Sequence, residues 1–410
     1  MSEAARAAEA AARASYGRLV AYLAAQWRDV ARAEDALGDA LVAALETWPR
    51  TGVPGRPEAW LLTAARRRLV DGARRSSVAT AAEAGLSMAL QERADGSHAA
   101  FPDARLALLF VCAHPAIDAS ARTPLMLQTV LGLDAARIAS AFVVAPATMS
   151  QRLVRAKAKI REAGIPFEVP EARELPARLD AVLQAIYAAY GTGWDDVAGA
   201  DPERRGLTEE AIWLGRVVVD LLPGEPEARG LLALMLHCEA RRGARRDAHG
   251  RYVPLREQDP QTWSSPTIEE AERLLASAAC AGAAGRFQLE AAIQSVHAHR
   301  AVSGRTAWDA ILLLYEALLR VAPTVGAQVG HAAALAEARD PAAALAALER
   351  LDADVVARYQ PYWALRAHVL RALGRLGDAR QAYTRAIGLS DDAAAREFLL
   401  WRAAEITTPP

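Results

Sequence analysis

The stretch GLDAARIASAFVVAPATMSQRLVRAKAKIREAGI, residues 132–165, reads as two helices joined by a tight turn. The spacing predicts a first helix from Asp134 to Phe142, with Ile138, Ala139 and Phe142 on one apolar face. Pro146 suits the first turn of the next helix, where a missing N–H costs nothing. In that second helix Met149, Leu153, Ala156 and Ile160 recur at intervals of four, three and four, so they share one buried stripe. The other side carries Thr148, Ser150, Gln151, Arg152, Arg155 and Lys159, with no acid before Glu162. A helix-turn-helix needs such a face: amide and guanidinium forks near the N-terminus read base edges, and later cations neutralise phosphates. A solvated amphipathic helix in an all-helical protein has the same period and charge, so this stretch alone leaves both readings open.

Working outward, the chain of 410 residues is too long for one small core and suits two or three domains. Ala and Leu dominate, and no run alternates apolar and polar residues as a strand does. The predicted class is therefore all-α. A net charge of −1 hides an asymmetry. Residues 1–165 hold 21 Lys and Arg against 16 Asp and Glu, and the remainder holds 27 against 33. A basic front and an acidic back fit a nucleic-acid-binding half joined to a half with another task. Cys112, Cys238 and Cys280 are scattered without disulfide or metal spacing, which suits a reducing cytoplasm. The N-terminal MSEAARAAEAAARAS lacks the apolar core of a signal peptide, and no run has the length to span a bilayer.

Before the helix pair, a weakly helical lead over residues 1–15 is expected to pass into a helix over Tyr16 to Gln26. DVARAEDALGDALVAALETWPR then gives an apolar stripe of Ala33, Ala36, Leu37, Ala40, Leu41, Ala44, Leu45 and Trp48, with Glu34, Asp35 and Asp39 off it. Pro49 is expected to stop this helix, and TGVPGRP forms a loop. PEAWLLTAARRRLVDGARR, residues 57–75, buries Trp60, Leu61, Ala64, Ala65 and Leu69. It gathers Arg66, Arg67, Arg68, Arg74 and Arg75 around a lone Asp71, and phosphate is the commonest partner of such a cluster. Trp48 and Trp60 fall on apolar stripes and read first as core. Residues 76–103 are small and polar and read as a linker. DARLALLFVCAHPAI opens the next module. Cys112 and His114 have no second ligand pair nearby, and Phe110 and Cys112 read as core.

These motifs resemble a known family. AEDALGDALVAALETWP followed by PEAWLLTAARRRLVDGARR resembles the second conserved domain of extracytoplasmic-function sigma factors of the sigma-70 family. The helix pair at 132–165 resembles their fourth domain, and the two occur in the family's order. The resemblance implies a subunit that carries core RNA polymerase to promoter DNA. Glu34, Asp35 and Asp39 would meet the polymerase. The loop between Trp48 and Trp60, with Arg56, Arg66, Arg67, Arg74 and Arg75, would capture and melt the minus-ten element. Thr148, Ser150, Gln151, Arg152, Arg155 and Lys159 would serve the minus-thirty-five element. Gly38 departs from the family, which commonly has Gln there.

Beyond Ile165, helices are expected over Leu179–Asp196, Glu209–Leu222 and Glu225–Arg242. QVGHAAALAEARDPAAALAALERL and RAHVLRALGRLGDARQAYTRAIGL then read as successive helix pairs. Gln328 stands 33 residues before Pro361, near the tetratricopeptide period. FQLEAAIQSVHAHR with WDAILLLYEALLRVAP gives another pair, so the extension reads as a solenoid with a concave binding surface. The loop RRGARRDAHGRYVPLREQDPQTW, residues 241–263, is long enough to suggest a function. The whole resembles the sigma-factor group with a tetratricopeptide-like C-terminal extension. Pro260 and the run AAYGTGW at 188–194 depart from that group's pattern.

The expected organisation is therefore domain two over 1–75, a linker over 76–103, domain four over 104–165 and a regulatory extension over 166–410. That extension would contact a protein partner or the front half of its own chain. A DNA-binding regulator that never joins polymerase fits the same residues, as does a peptide-binding scaffold with an incidental basic front. An enzyme is disfavoured, and no cofactor or metal is expected. His237, His249, His297, His299 and His331 are isolated, and neither a phosphate-cradling glycine loop nor a nucleophile–base set occurs. His297 and His299 point to different sides of a helix.

Overall fold

The computed structural model describes residues 3–76, 103–142, 144–171, 173–194, 202–282, 284–390 and 392–406. As expected, these are helical: among them no strand forms, and Arg246 and Tyr252 make an isolated bridge. The linker expected over 76–103 falls, apart from its two ends, outside the described residues. The chain divides into two compact units, Met1–Ala189 and Tyr190–Pro410.

The first unit starts with α1 (Glu3–Trp27), α2 (Val30–Thr51) and α3 (Pro57–Ser76). Helix α1 begins well before the expected Tyr16, because an Ala-rich lead has high helix propensity. Asp29 caps α2, its carboxylate accepting from the Arg32 N–H at 3.1 Å. Pro49 does not end α2. It sits in the last turn, where it removes one hydrogen bond and only two residues follow. The stop is Gly52, at φ +83°, whose N–H donates to the Trp48 carbonyl at 3.0 Å.

Next come α4 (Arg105–Cys112), α5 (Ala119–Leu131), α6 (Ala135–Ala141) and α7 (Pro146–Glu162). Helix α6 is shorter than expected because Asp134 serves as its cap, its Oδ1 accepting from the Ala136 and Arg137 N–H groups at 2.9 Å. Helix α7 starts at Pro146 and buries Met149, Leu153, Ala156 and Ile160, the stripe read from their spacing. Residues 166–189 also belong to this unit. Helix α8 (Leu175–Trp194) is tied down by Arg178, which donates to the Phe110 carbonyl at 2.7 Å. The Thr123 hydroxyl donates to the Ala185 carbonyl at 2.9 Å.

Helix α1 packs against α2 and α3 and also against α4 and α5, so the segments before 76 and after 103 share one core. Leu19, Val20, Leu23 and Ala24 in its C-terminal half are inaccessible. Gly17 is the closest crossing: a Cβ there would lie 2.1 Å from the Val130 carbonyl oxygen. Because that neighbour is backbone, it cannot swing aside. Gly17→Ala is expected to destabilise the first unit by about 1–3 kcal/mol, seen as a thermal midpoint several degrees lower. An unchanged midpoint would show that the two helices do not cross this closely.

The second unit comprises α9 (Pro202–Leu221), α10 (Pro226–Ala240), α11 (Ser265–Ala279), α12 (Arg286–Ala298), α13 (Trp308–Val321), α14 (Val325–Ala338), α15 (Pro341–Glu349), α16 (Gln360–Ala372), α17 (Leu376–Gly388) and α18 (Ala393–Ala404). Helix α10 is buried without interruption from Leu231 to Cys238. The pair α14–α15 recurs as α16–α17 after 35 positions, counted from Val325 to Gln360 and from Pro341 to Leu376. Gly374, at φ +73°, turns the chain between α16 and α17. Ala367, Leu370, Ala379, Tyr383 and Ala386 meet in one cluster there. In the loop 241–263, Arg241, Arg242 and Arg245 lie over the Trp194 ring at 5.0, 5.3 and 4.0 Å. Tyr190 stacks on the same ring. Three of the loop's arginines thus stack on an indole within their own unit.

Candidate nucleic-acid interface

Helix α7 presents Thr148, Ser150, Gln151, Arg155 and Lys159 to solvent, with Arg152 half-buried. The Met149–Ile160 stripe holds the helix on its neighbours, which is why the polar face points outward. Ala145, the residue before α7, offers no side-chain cap. The first N–H groups of α7 therefore stay open beside the hydroxyls, at the positive end of the helix dipole. No acidic side chain of α7 precedes Glu162.

Lys157 faces the other way. Its ammonium pairs with the Glu34 carboxylate of α2, and both side chains are nearly buried. Glu34 was grouped with Asp35 and Asp39 on sequence, but only the two aspartates are exposed. Glu34 stands at the edge of the buried stripe, where α7 packs on α2. Burial raises its carboxyl pKa, with Lys157 pulling against that and Asp35 adding to it. A second ion pair joins the same helices' ends, Arg161 to the buried Asp29 at 3.6 Å.

The exposed side of α2 is not purely acidic. Val42 and Leu45 are about half exposed, at 55% and 48%. They share the Asp35–Asp39 face at helical spacing. The sequence pattern puts Leu45 on the apolar stripe and does not single out Val42. The excess apolar width of α2 is the signal that could have revealed a second apolar face.

The loop after α2 and the start of α3 enclose a cavity of about 450 Å³, lined by Pro54, Arg56, Ala59, Trp60, Thr63 and Arg67. Trp48 is core, 2% exposed, and meets Trp60 edge-on with ring centroids 5.5 Å apart. Trp60 itself is half-buried and forms one cavity wall, so the two tryptophans divide the roles of support and surface. Arg56 and Arg67 are exposed at this cavity. Arg66 is instead held by Tyr22, donating to its hydroxyl and lying over its ring at 5.0 Å. Arg74 and Arg75 sit in the last turns of α3, and their side chains lie outside the described residues.

The Cys112 thiol is pushed up to about 12 by burial, despite a contact with the Thr129 hydroxyl at 3.4 Å, so it is a buried packing group. Among the described residues no group of three or more His, Cys, Asp or Glu is placed to hold a metal ion. None of their helices is long and apolar enough to cross a membrane.

Comparison with known proteins agrees with this layout in part. Residues 13–78 match the family model described as Sigma-70 region 2. Residues 178–279 match a second model, described as a family of unknown function (DUF6596). The chain is 39% identical over 392 residues to the Uncharacterized protein R00370 of Rhizobium meliloti (strain 1021), covering 94% of this chain and 92% of that protein. No solved structure matches the chain.

Proposed function

We propose, for a chain that belongs to one family with its Rhizobium meliloti relative and is a sigma-70-family protein by its region 2, the role of an alternative, extracytoplasmic-function type sigma factor. It would bind core RNA polymerase in the cytoplasm, direct it to promoter DNA, and carry no catalysis of its own. Residues 1–75 would serve as domain two, 104–165 as domain four with its helix-turn-helix, and 166–410 as a tetratricopeptide-like regulatory extension. The observation that carries this reading is the Trp60 cavity at the region 2 match. It is a cleft between the loop after α2 and the first turns of α3, roomy enough for an unpaired base, with an aromatic wall and two flanking guanidiniums.

Each surface has a physical task in this reading. Asp35 and Asp39 beside Val42 and Leu45 give α2 a mixed acidic and apolar face suited to a protein partner. Melting needs an unpaired base held out of the stack, and the Trp60 wall supplies stacking while Arg56 and Arg67 hold phosphate. In this reading Gln151 and Arg152 near the start of α7 would read base edges, and Arg155 and Lys159 would hold backbone.

Trp60→Ala should weaken capture of the minus-ten base by about 1–3 kcal/mol while leaving duplex binding through α7 unchanged. A fluorescent base analogue at the upstream end of the minus-ten element would report opening in the polymerase complex. Full opening by the variant would remove Trp60 from this role.

The reading also gives the Glu34–Lys157 contact a meaning. The two promoter elements lie more than about 20 base pairs apart, on the order of 70 Å at about 3.4 Å per pair. A compact body of this unit's length has a radius of gyration of about 15 Å. One closed body cannot reach both elements. Residues 77–102 supply enough chain to extend about 90 Å. The closed arrangement, with α7 against α2 and with α4 and α5 against α1, is then the resting form, and engagement with polymerase separates both contacts.

A further inference from the structure

The second unit contains a cavity of about 360 Å³ bordered by the long loop and by α12, α13, α14, α16, α17 and α18. The segment Pro254–Glu257 of the long loop crosses over it like a strap. Arg300 fixes the strap from below, donating to the carbonyls of Leu255 and Arg256 at 3.1 Å and of Gln258 at 2.7 Å. Arg256 pairs with Glu337 at 3.3 Å, and Glu257 with Arg402 at 2.7 Å. The strap is therefore held by its edges and leaves the space beneath it open.

The walls of that space are Trp308, Tyr315, Leu365 and Phe398, aromatic or aliphatic on each side. Gly330 lets α14 approach the Tyr315 wall closely, since a Cβ there would lie 2.5 Å from that ring. His297 on the wall is only 7% exposed, and its Nδ1 is sealed off from the cavity without a hydrogen-bond partner among the described residues, so a bound group would meet the imidazole through its other ring nitrogen. Burial, with Arg241 and Arg300 adding to it, brings His297 down to about 4, so the imidazole is neutral at ordinary pH. The charged groups at the rim are already paired with one another and call for no ionic ligand.

We infer that this cavity is a small-molecule site, for a compact uncharged aromatic compound carrying one hydrogen-bonding group directed at His297. The volume suits a ligand on the order of a dozen to twenty non-hydrogen atoms. Ligand occupancy would stiffen the strap, because the same segment roofs the site and carries both rim ion pairs. The inference stands on the second unit alone and holds whether or not the chain serves polymerase.

1-Naphthol is a suitable probe, an aromatic bicycle with one hydroxyl. Titrated into the full chain and followed by ligand-observed NMR, it should bind saturably below millimolar concentration and raise the thermal midpoint. His297→Phe keeps the ring shape and removes the hydrogen bond. It should weaken the probe about tenfold without lowering the midpoint of the free protein. Ala333→Phe, from the half-buried α14 wall, should abolish binding by filling the space, and if that variant fails to fold, His297→Phe decides alone. Absence of saturation, or an affinity unchanged by His297→Phe, overturns the site.

Discussion

Alanine at Gln151 or at Arg152 is expected to cut discrimination between a matched and a scrambled minus-thirty-five sequence by about 1–3 kcal/mol, concentrated at one base-pair position. Arg155→Ala and Lys159→Ala are expected to weaken every sequence alike and to reduce the salt slope by roughly one phosphate each. The division follows from position on α7. Gln151 and Arg152 lie in its first two turns beside the uncapped N-terminus, and the other two cations stand further along the same exposed face. Binding titrations at two salt concentrations on both duplexes separate the roles. Equal losses on both duplexes for all four variants would mean that α7 holds DNA without reading it.

The second large effect belongs to Lys157. Lys157→Glu sets two carboxylates against each other in a nearly buried contact. Removing one partner of such a pair costs about 3–5 kcal/mol, enough to release α7 from α2. Hydrogen exchange should then rise together along α7 and the Asp29–Gly38 part of α2, while the α1–α2–α3 core keeps its protection. Exchange confined to the mutated turn would mean the pair does not hold the unit closed. Under the sigma-factor reading, the released form should also bind polymerase faster.

Glu34 adds a pH dependence to the same contact. Its folded pKa lies above its ordinary 4.5 because burial outweighs the attraction of Lys157. A carboxyl shifted upward favours the closed unit most when protonated. That contribution is complete below the ordinary value and is lost as pH rises through the raised one. Opening should become easier over that interval. Glu34→Gln, which stays neutral and can still accept from Lys157, should remove the pH response.

The sequence made the helices legible where periodicity and capping agree. The Met149–Ile160 stripe and the Pro146 start could be read directly, because burial and hydrogen bonding at those positions are local. Pro49 misled because its effect depends on how much helix follows it, which Gly52 decides. The course of α1 was also hidden: an Ala-rich lead has no strong amphipathic pattern, yet it can fold as one helix. The contact of α1 with α4 and α5 could not be inferred from any one segment, since it depends on Gly17 meeting Val130 across more than a hundred residues.

The candidate surfaces divide the same way. Residues on one face of one helix, such as Gln151 and Lys159, are visible from spacing alone. Partners from distant helices are not. Arg66 looked like one of a row of equal cations, but Tyr22 holds it. Lys157 shares its helix with the exposed Lys159, but Glu34 holds it. The loop 241–263 is long enough in sequence to suggest a function, and three of its arginines stack on Trp194. In each case the deciding group lies far along the chain, where charge counting has no reach.

Promoter-directed initiation by core RNA polymerase is the claim on which the rest depends. Core enzyme incubated with the full chain on a library of promoter fragments should start RNA at discrete positions, from fragments sharing a paired minus-thirty-five and minus-ten sequence, and Trp60→Ala should lose those starts. Salt-sensitive binding of the same fragments by the chain alone, with no stable complex with core enzyme and no discrete starts, would contradict it.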